Sequence, residues 1–143
     1  MANDFPEAGQ VFDYHYLWKW QDEKGETEGR KKRPSCMALA MVNAEGQQVL
    51  FIAPITSKQP DAERVAIAIP ETETETEAHR AKLDSHIPLW VIVDELNADV
   101  LETSYTLEDR SPRGQVGPAF TNTVLRGIQS VRKTGKHSIS KRT

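Results

Sequence analysis

Residues 10–18 read QVFDYHYLW, in which the aromatics Phe12, Tyr14, Tyr16 and Trp18 alternate with Val11, Asp13, His15 and Leu17. Period two marks a β-strand, because successive side chains leave opposite faces. From Lys19 to Arg33 the chain turns polar, charged and Gly-punctuated (KWQDEKGETEGRKKR), which predicts a long exposed loop of the kind that carries function on small domains. Pro34 suits a strand start, and Ser35 to Val42 continues as a buried run until Asn43-Ala44-Glu45-Gly46 breaks it. Gln48 to Ile55 is the next apolar run, so the two form a hairpin through Asn43 to Gly46. Val65 to Ile69 predicts a further strand stopped by Pro70, and Trp90 to Asn97 another, with room for one more short strand in Asp99 to Asp109. Between them ETETETEAHRAKL opens with a low-complexity Glu/Thr repeat, Glu71 to Glu77, read as a solvated face, and its later half suits one or two helical turns with Thr74 as a cap.

Gly117-Pro118 opens a helical pattern, since proline is favoured in a first turn. Phe120, Val124, Leu125, Ile128 and Val131 then repeat on one helix face, which should pack across the sheet. Thr134 to Thr143 shows no periodicity and reads as disordered. The sum is a mainly β chain, five or so short antiparallel strands forming a small barrel capped by a helix, with residues 1–132 as one domain and 133–143 as a basic tail.

A length of 143 residues fits that single domain, and 38% hydrophobic with 27% charged residues is a globular composition. No apolar run approaches the roughly 20 residues of a membrane span, and MANDFPEAGQ has neither the basic start nor the apolar stretch of a secretory signal, so a cytoplasmic protein without membrane contact is expected. Cys36 is the single cysteine, which excludes an internal disulfide and a cysteine-based metal cluster, and its place in an apolar run makes it a small buried hydrophobe. The net charge of -3 conceals an asymmetry, with -11 on the first 109 residues and +8 from Arg110 onward. Such a stretch suits a polyanion, and Lys133, Lys136, Lys141 and Arg142 either contact phosphates or are simply solvated.

His15, His79, His86 and His137 are scattered with no metal-ligand spacing, so neither a metal nor a cofactor is expected. No nucleophile elbow, Walker loop or dinucleotide-binding glycine motif occurs. What remains is a pair of short motifs at the ends of buried strands, Gly29-Arg30-Lys31-Lys32-Arg33-Pro34 and Pro54-Ile55-Thr56-Ser57. With Gly9-Gln10-Val11 ahead of them and Trp90 to Asn97 and the closing helix behind, their order resembles that of the PemK/MazF-like type II toxins over about residues 8 to 132. The first strand, with Tyr14, Tyr16, Leu17 and Trp18, is similar to a PemK-like branch of those growth inhibitors.

That resemblance implies an SH3-like barrel of MazF type, a homodimer, a cognate antitoxin protein as partner, and metal-independent endoribonuclease activity on single-stranded RNA. It implies catalytic roles for Arg33 and Thr56, with Ser57 as helper. The residue types fit the chemistry independently. Attack of a ribose 2′-hydroxyl on its own phosphate loads charge onto the phosphate oxygens, which an arginine fork and a positioned hydroxyl donor stabilise. On spacing alone, Arg33 is one more surface cation and Thr56 a strand-end residue; the ordered motif set is what favours the catalytic reading.

The general base stays open between His15, whose neutral-range titration suits proton transfer, and Glu23, Glu26 and Glu28 in the loop. Trp20 is the candidate for stacking on an unpaired base, with Trp18 equally suited to core packing, and Arg30, Lys31 and Lys32 are candidates for backbone phosphates. The lengthened Lys- and Glu-rich loop departs from the shorter toxins. A catalytically degenerate or non-enzymatic protein of the same fold, acting by protein binding, is the alternative.

Overall fold

The computed structural model describes residues 6–27, 29, 32–71, 87–104, 107, 112–135 and 137–142. Among the described residues eight strands and two helices follow one another: β1 (Gln10–Tyr14), α1 (Lys19–Glu23), β2 (Arg33–Val42), β3 (Gln48–Thr56), β4 (Ala66–Ala68), β5 (Trp90–Ile92), β6 (Glu95–Val100), β7 (Gly114–Gln115), α2 (Pro118–Thr134) and β8 (Ser138–Lys141). They form one sheet with the path β4-β5-β3-β2-β1-β7, while β6 pairs with β3 and carries β8 on its other side. All pairings are antiparallel except β6 with β8. The fold is mainly β with one long helix, and among the described residues no pairing joins the two ends of the strand path.

Period two explains how the sheet is buried on both faces. Val11, Cys36, Ala38, Ala53, Ile55 and Val91 point into one core, which α2 covers with Phe120, Val124, Ile128 and Val131. The alternate positions Phe12, Tyr14, Met37, Leu50 and Ile52 fill a second core together with Tyr16 and Leu107. The expected helix is present, started by Pro118 at its first turn and closed by Gly135 in the left-handed region at φ 76°. The expected hairpin is present too. Asn43 Oδ1 accepts from the amides of Glu45 and Gln47 at 3.0 and 2.9 Å, and Gly46 takes the positive φ that the turn requires.

Three expectations are corrected. The run from Trp90 to Asn97 is two strands, because the Asp94 carboxylate turns aside to bind Arg64 and the Val65 amide. Ile52 pairs with Asn97 and Ile55 with Val91, so three residue steps along β3 span six along the β5–β6 segment across this break. The loop after β1 is not wholly irregular, since it begins with α1, whose Gln21 is buried and returns its side chain to the Trp18 amide at 3.0 Å. The tail holds β8, parallel to β6, with Ser140 and Arg142 buried and Ile139 exposed. That inverted polarity, polar side chains inward and apolar outward, is why no pattern announced it. The Glu/Thr repeat and its following turns, like Tyr105, Thr106 and Glu108 to Ser111, lie outside the described residues. No helix among the described residues is long and apolar enough to cross a membrane.

Candidate functional site

The register that sets Cys36 against Ala53 and Ser35 against Pro54, continued by two residues, sets Arg33 opposite Thr56. The two motifs thus lie side by side at the start of β2 and the end of β3, just beyond the last paired residues Ser35 and Pro54. A cleft of about 420 Å³ opens at this point, lined by Arg33, Thr56, Ser57, Trp18 and Trp20, and also by Lys58, Asp61, Arg64 and Ile92. Four of the expected site residues, Arg33, Thr56, Ser57 and Trp20, therefore share one cavity.

Arg33 is half-buried, and its guanidinium lies over the Trp18 ring with Cζ 5.1 Å from the ring centroid. Among the described residues it makes no hydrogen bond or ion pair, and its Nε is buried without a partner. Burial pushes its pKa down, with the neighbouring Tyr16 acting in the opposite sense. A buried arginine normally finds a carboxylate or carbonyl for its five donors, so an unpaired one facing a cleft is prepared for an anion that arrives from outside.

Across the ladder, Thr56 Oγ1 accepts from the Lys58 amide at 3.1 Å. That bond engages the oxygen as acceptor and leaves its hydrogen to donate into the cleft. Lys58 and Asp61 are exposed and, among the described residues, their side chains make no ion pair. Arg64 differs. Its Nε and Nη2 bind Asp94 at 3.0 and 2.7 Å, Nη2 also reaches Glu95 at 2.9 Å, and these hydrogen bonds push its pKa up. Two carboxylates neutralise it, so the positive charge available in the cleft is that of Arg33 and Lys58.

Not every expected residue is here. His15 does not line the cleft; its carbonyl accepts from Arg142 Nη1 at 2.6 Å on the far side of the β1 exit. Lys32 is exposed and is not part of the cleft wall, and Arg30, Lys31 and Glu28 lie outside the described residues. Glu23 pairs with Lys19 on α1 at 4.0 Å. Trp20 is exposed on the wall with Lys24 over its ring at 5.3 Å. Gly29 is needed for a local reason, since a Cβ there would come within 2.5 Å of the carbonyl oxygens of His15 and Tyr16.

Sequence reasoning missed Lys58, Asp61 and Arg64, which follow Thr56-Ser57 in a segment without periodicity. It also missed the polar face of β6, where Glu95, Asn97 and Asp99 are buried. The signal was there as E-x-N-x-D at strand spacing, matching the Y-x-Y of the first strand. No protein-family model matches the chain, and no curated protein matches it at a significant level.

Proposed function

We propose that this protein is a metal-independent endoribonuclease of the PemK/MazF toxin type, cutting single-stranded RNA by attack of the 2′-hydroxyl on the adjacent phosphate. The observation that carries the reading is the half-buried, unpaired Arg33 sharing a cleft with Thr56 and Ser57. In this scheme Arg33 binds the non-bridging oxygens as they gain charge, and the Thr56 hydroxyl donates a further hydrogen bond, with Ser57 beside it. The 2′-oxygen forms its bond to phosphorus as the bond to the 5′-oxygen breaks. Asp61, the carboxylate among the described cleft residues, takes the 2′-hydroxyl proton in place of His15, and solvent in the open cleft protonates the departing 5′-oxygen. Trp20 offers a face for a neighbouring base.

The same reading makes the sheet an SH3-like barrel, in keeping with its two buried faces, and makes the protein a homodimer silenced by a cognate antitoxin. The exposed Leu39, Met41 and Ile139 near α2 offer apolar surface for the second copy. The test is incubation of the purified protein with single-stranded RNA in excess EDTA, followed by analysis of the product ends. Fragments with a 2′,3′-cyclic phosphate and a 5′-hydroxyl are expected. Intact RNA, or cutting that requires an added divalent metal, would contradict the mechanism.

A further inference from the structure

Period two places Glu95, Asn97 and Asp99 on one face of β6, and all three are buried. They meet the exit of β1 rung by rung. Asp99 Oδ2 accepts from Tyr14 OH at 2.7 Å. Asn97 Oδ1 accepts from the Leu17 amide at 2.8 Å, and its Nδ2 donates to the Leu17 carbonyl at 2.7 Å. Glu95 Oε2 accepts from Tyr16 OH at 3.1 Å and from the Lys19 amide, the first of α1, at 2.9 Å. Arg142 closes the ladder from behind, its Nη1 reaching Asn97 Oδ1 at 3.2 Å, Tyr14 OH at 3.2 Å and the His15 carbonyl at 2.6 Å.

The central rung bears on the cleft most directly. Asn97 is fully buried and grips both polar atoms of the Leu17 backbone, as a neighbouring strand would. Leu17 is bonded to Trp18, and the Trp18 ring is held between the edge of Tyr16, at 5.1 Å between centroids, and the Arg33 guanidinium at 5.1 Å. The Arg33 guanidinium has no hydrogen bond among the described residues, so the indole is what orients it. A fork that must meet phosphate oxygens needs that orientation, and a 1 Å misplacement costs on the order of a hundredfold in rate.

We infer that Asn97 is a positioning residue: acting through Leu17 and Trp18, it aims the Arg33 guanidinium into the cleft, with Arg142 holding Asn97 in turn. The inference rests on the ribonuclease reading for its kinetic consequence and on the structure alone for its geometry, so two readouts separate them. Asn97→Ala removes both bonds to Leu17; Asn97→Asp keeps the acceptor for the Leu17 amide and for Arg142 and turns the donor into a charged oxygen facing the Leu17 carbonyl, so the folded fraction of each variant is measured first.

In the full chain at matched folded fraction, both variants should lower kcat on single-stranded RNA by about tenfold to a hundredfold while KM changes by less than about threefold, because the cleft keeps its charge. In an Arg33→Ala background Asn97→Ala should cause no further loss. By NMR, both variants should shift the Arg33 Nε–H resonance, which sits in the ring current of Trp18, and Asn97→Ala should lose exchange protection at the Leu17 amide. Full kcat in both variants, or an equal proportional loss with and without Arg33, overturns the inference and leaves the ribonuclease reading standing. A wild-type protein that does not cut RNA overturns that reading instead. The Arg33 Nε–H shift then decides the inference alone: moved by the Asn97 variants it is upheld, unmoved it fails.

Discussion

At the scale of single residues, Arg33 departs from the ordinary habits of proteins. Its charge is half removed from water and given an aromatic face but, among the described residues, no anion, an arrangement that costs stability and that a bound phosphate would offset under the proposed function. Cys36 is the opposite case, a group withdrawn from chemistry. It is buried in the α2-facing core, and burial pushes its thiol from an ordinary 9.0 up to about 12. Native protein should therefore resist alkylation by iodoacetamide at mildly alkaline pH and react at one site once unfolded. The sign for stability follows. Between 9.0 and about 12 the unfolded thiol loses its proton and the folded one keeps it, so stability is complete below 9.0 and falls as pH rises through that window. Buried Tyr16, raised above its ordinary value by burial and by Glu95, acts in the same direction. Rapid labelling of Cys36 in the native state would show that the β2 core is open.

The ordered motifs at strand ends singled out Arg33, Thr56 and Ser57, and its place in the polar segment singled out Trp20; the structure brings the four to one cleft. Their convergence was legible only in part, since the hairpin through Asn43 to Gly46 has a register that would bring Arg33 opposite Ser57, and an irregularity between Met37 and Leu39 shifts it by one residue toward Thr56. His15 was misplaced for a physical reason: alternation gives a face, and which face meets the cleft depends on how the segment after β1 turns.

At the scale of elements, strands with apolar alternation and the amphipathic α2 were readable, whereas α1 and β8, held by polar bonds, were not, and β6 was read only as the end of one strand with β5. β6 and β8 meet across buried Asn97, Ser140 and Arg142, with little apolar pattern to mark them. α1 is one and a half turns long, anchored by Gln21 and by Glu95 on the Lys19 amide. Removing residues 137–142 should therefore do more than trim a tail. It strips the ladder from β6 and leaves the His15 carbonyl without Arg142, at about 1–3 kcal/mol for a buried group left unsatisfied, while the Tyr14 hydroxyl keeps its bond to Asp99. A fall in thermal midpoint on the order of 10 °C is expected by calorimetry. An unchanged midpoint would return the segment to the role of a solvated tail.

At the scale of the whole molecule, the charge asymmetry is less of an RNA-binding device than the sequence implied. Arg113 is spent on Asp13 at 2.8 Å and Arg142 on the buried ladder, so part of the basic stretch serves the fold. Arg33 and Lys58 bring positive charge to one cleft of the acidic body, where two strand ends, a turn and α1 meet. The central claim is that this cleft acts on RNA through Arg33 and Thr56, and single-turnover cleavage in EDTA by wild type, Arg33→Ala and Thr56→Ala tests it most directly. Each variant should cut about a hundredfold more slowly or worse while melting within a few degrees of wild type, because one hydrogen-bond donor aimed at the transition state is worth about 2.7 to 4 kcal/mol. Wild-type rates in folded Arg33→Ala and Thr56→Ala would contradict the account.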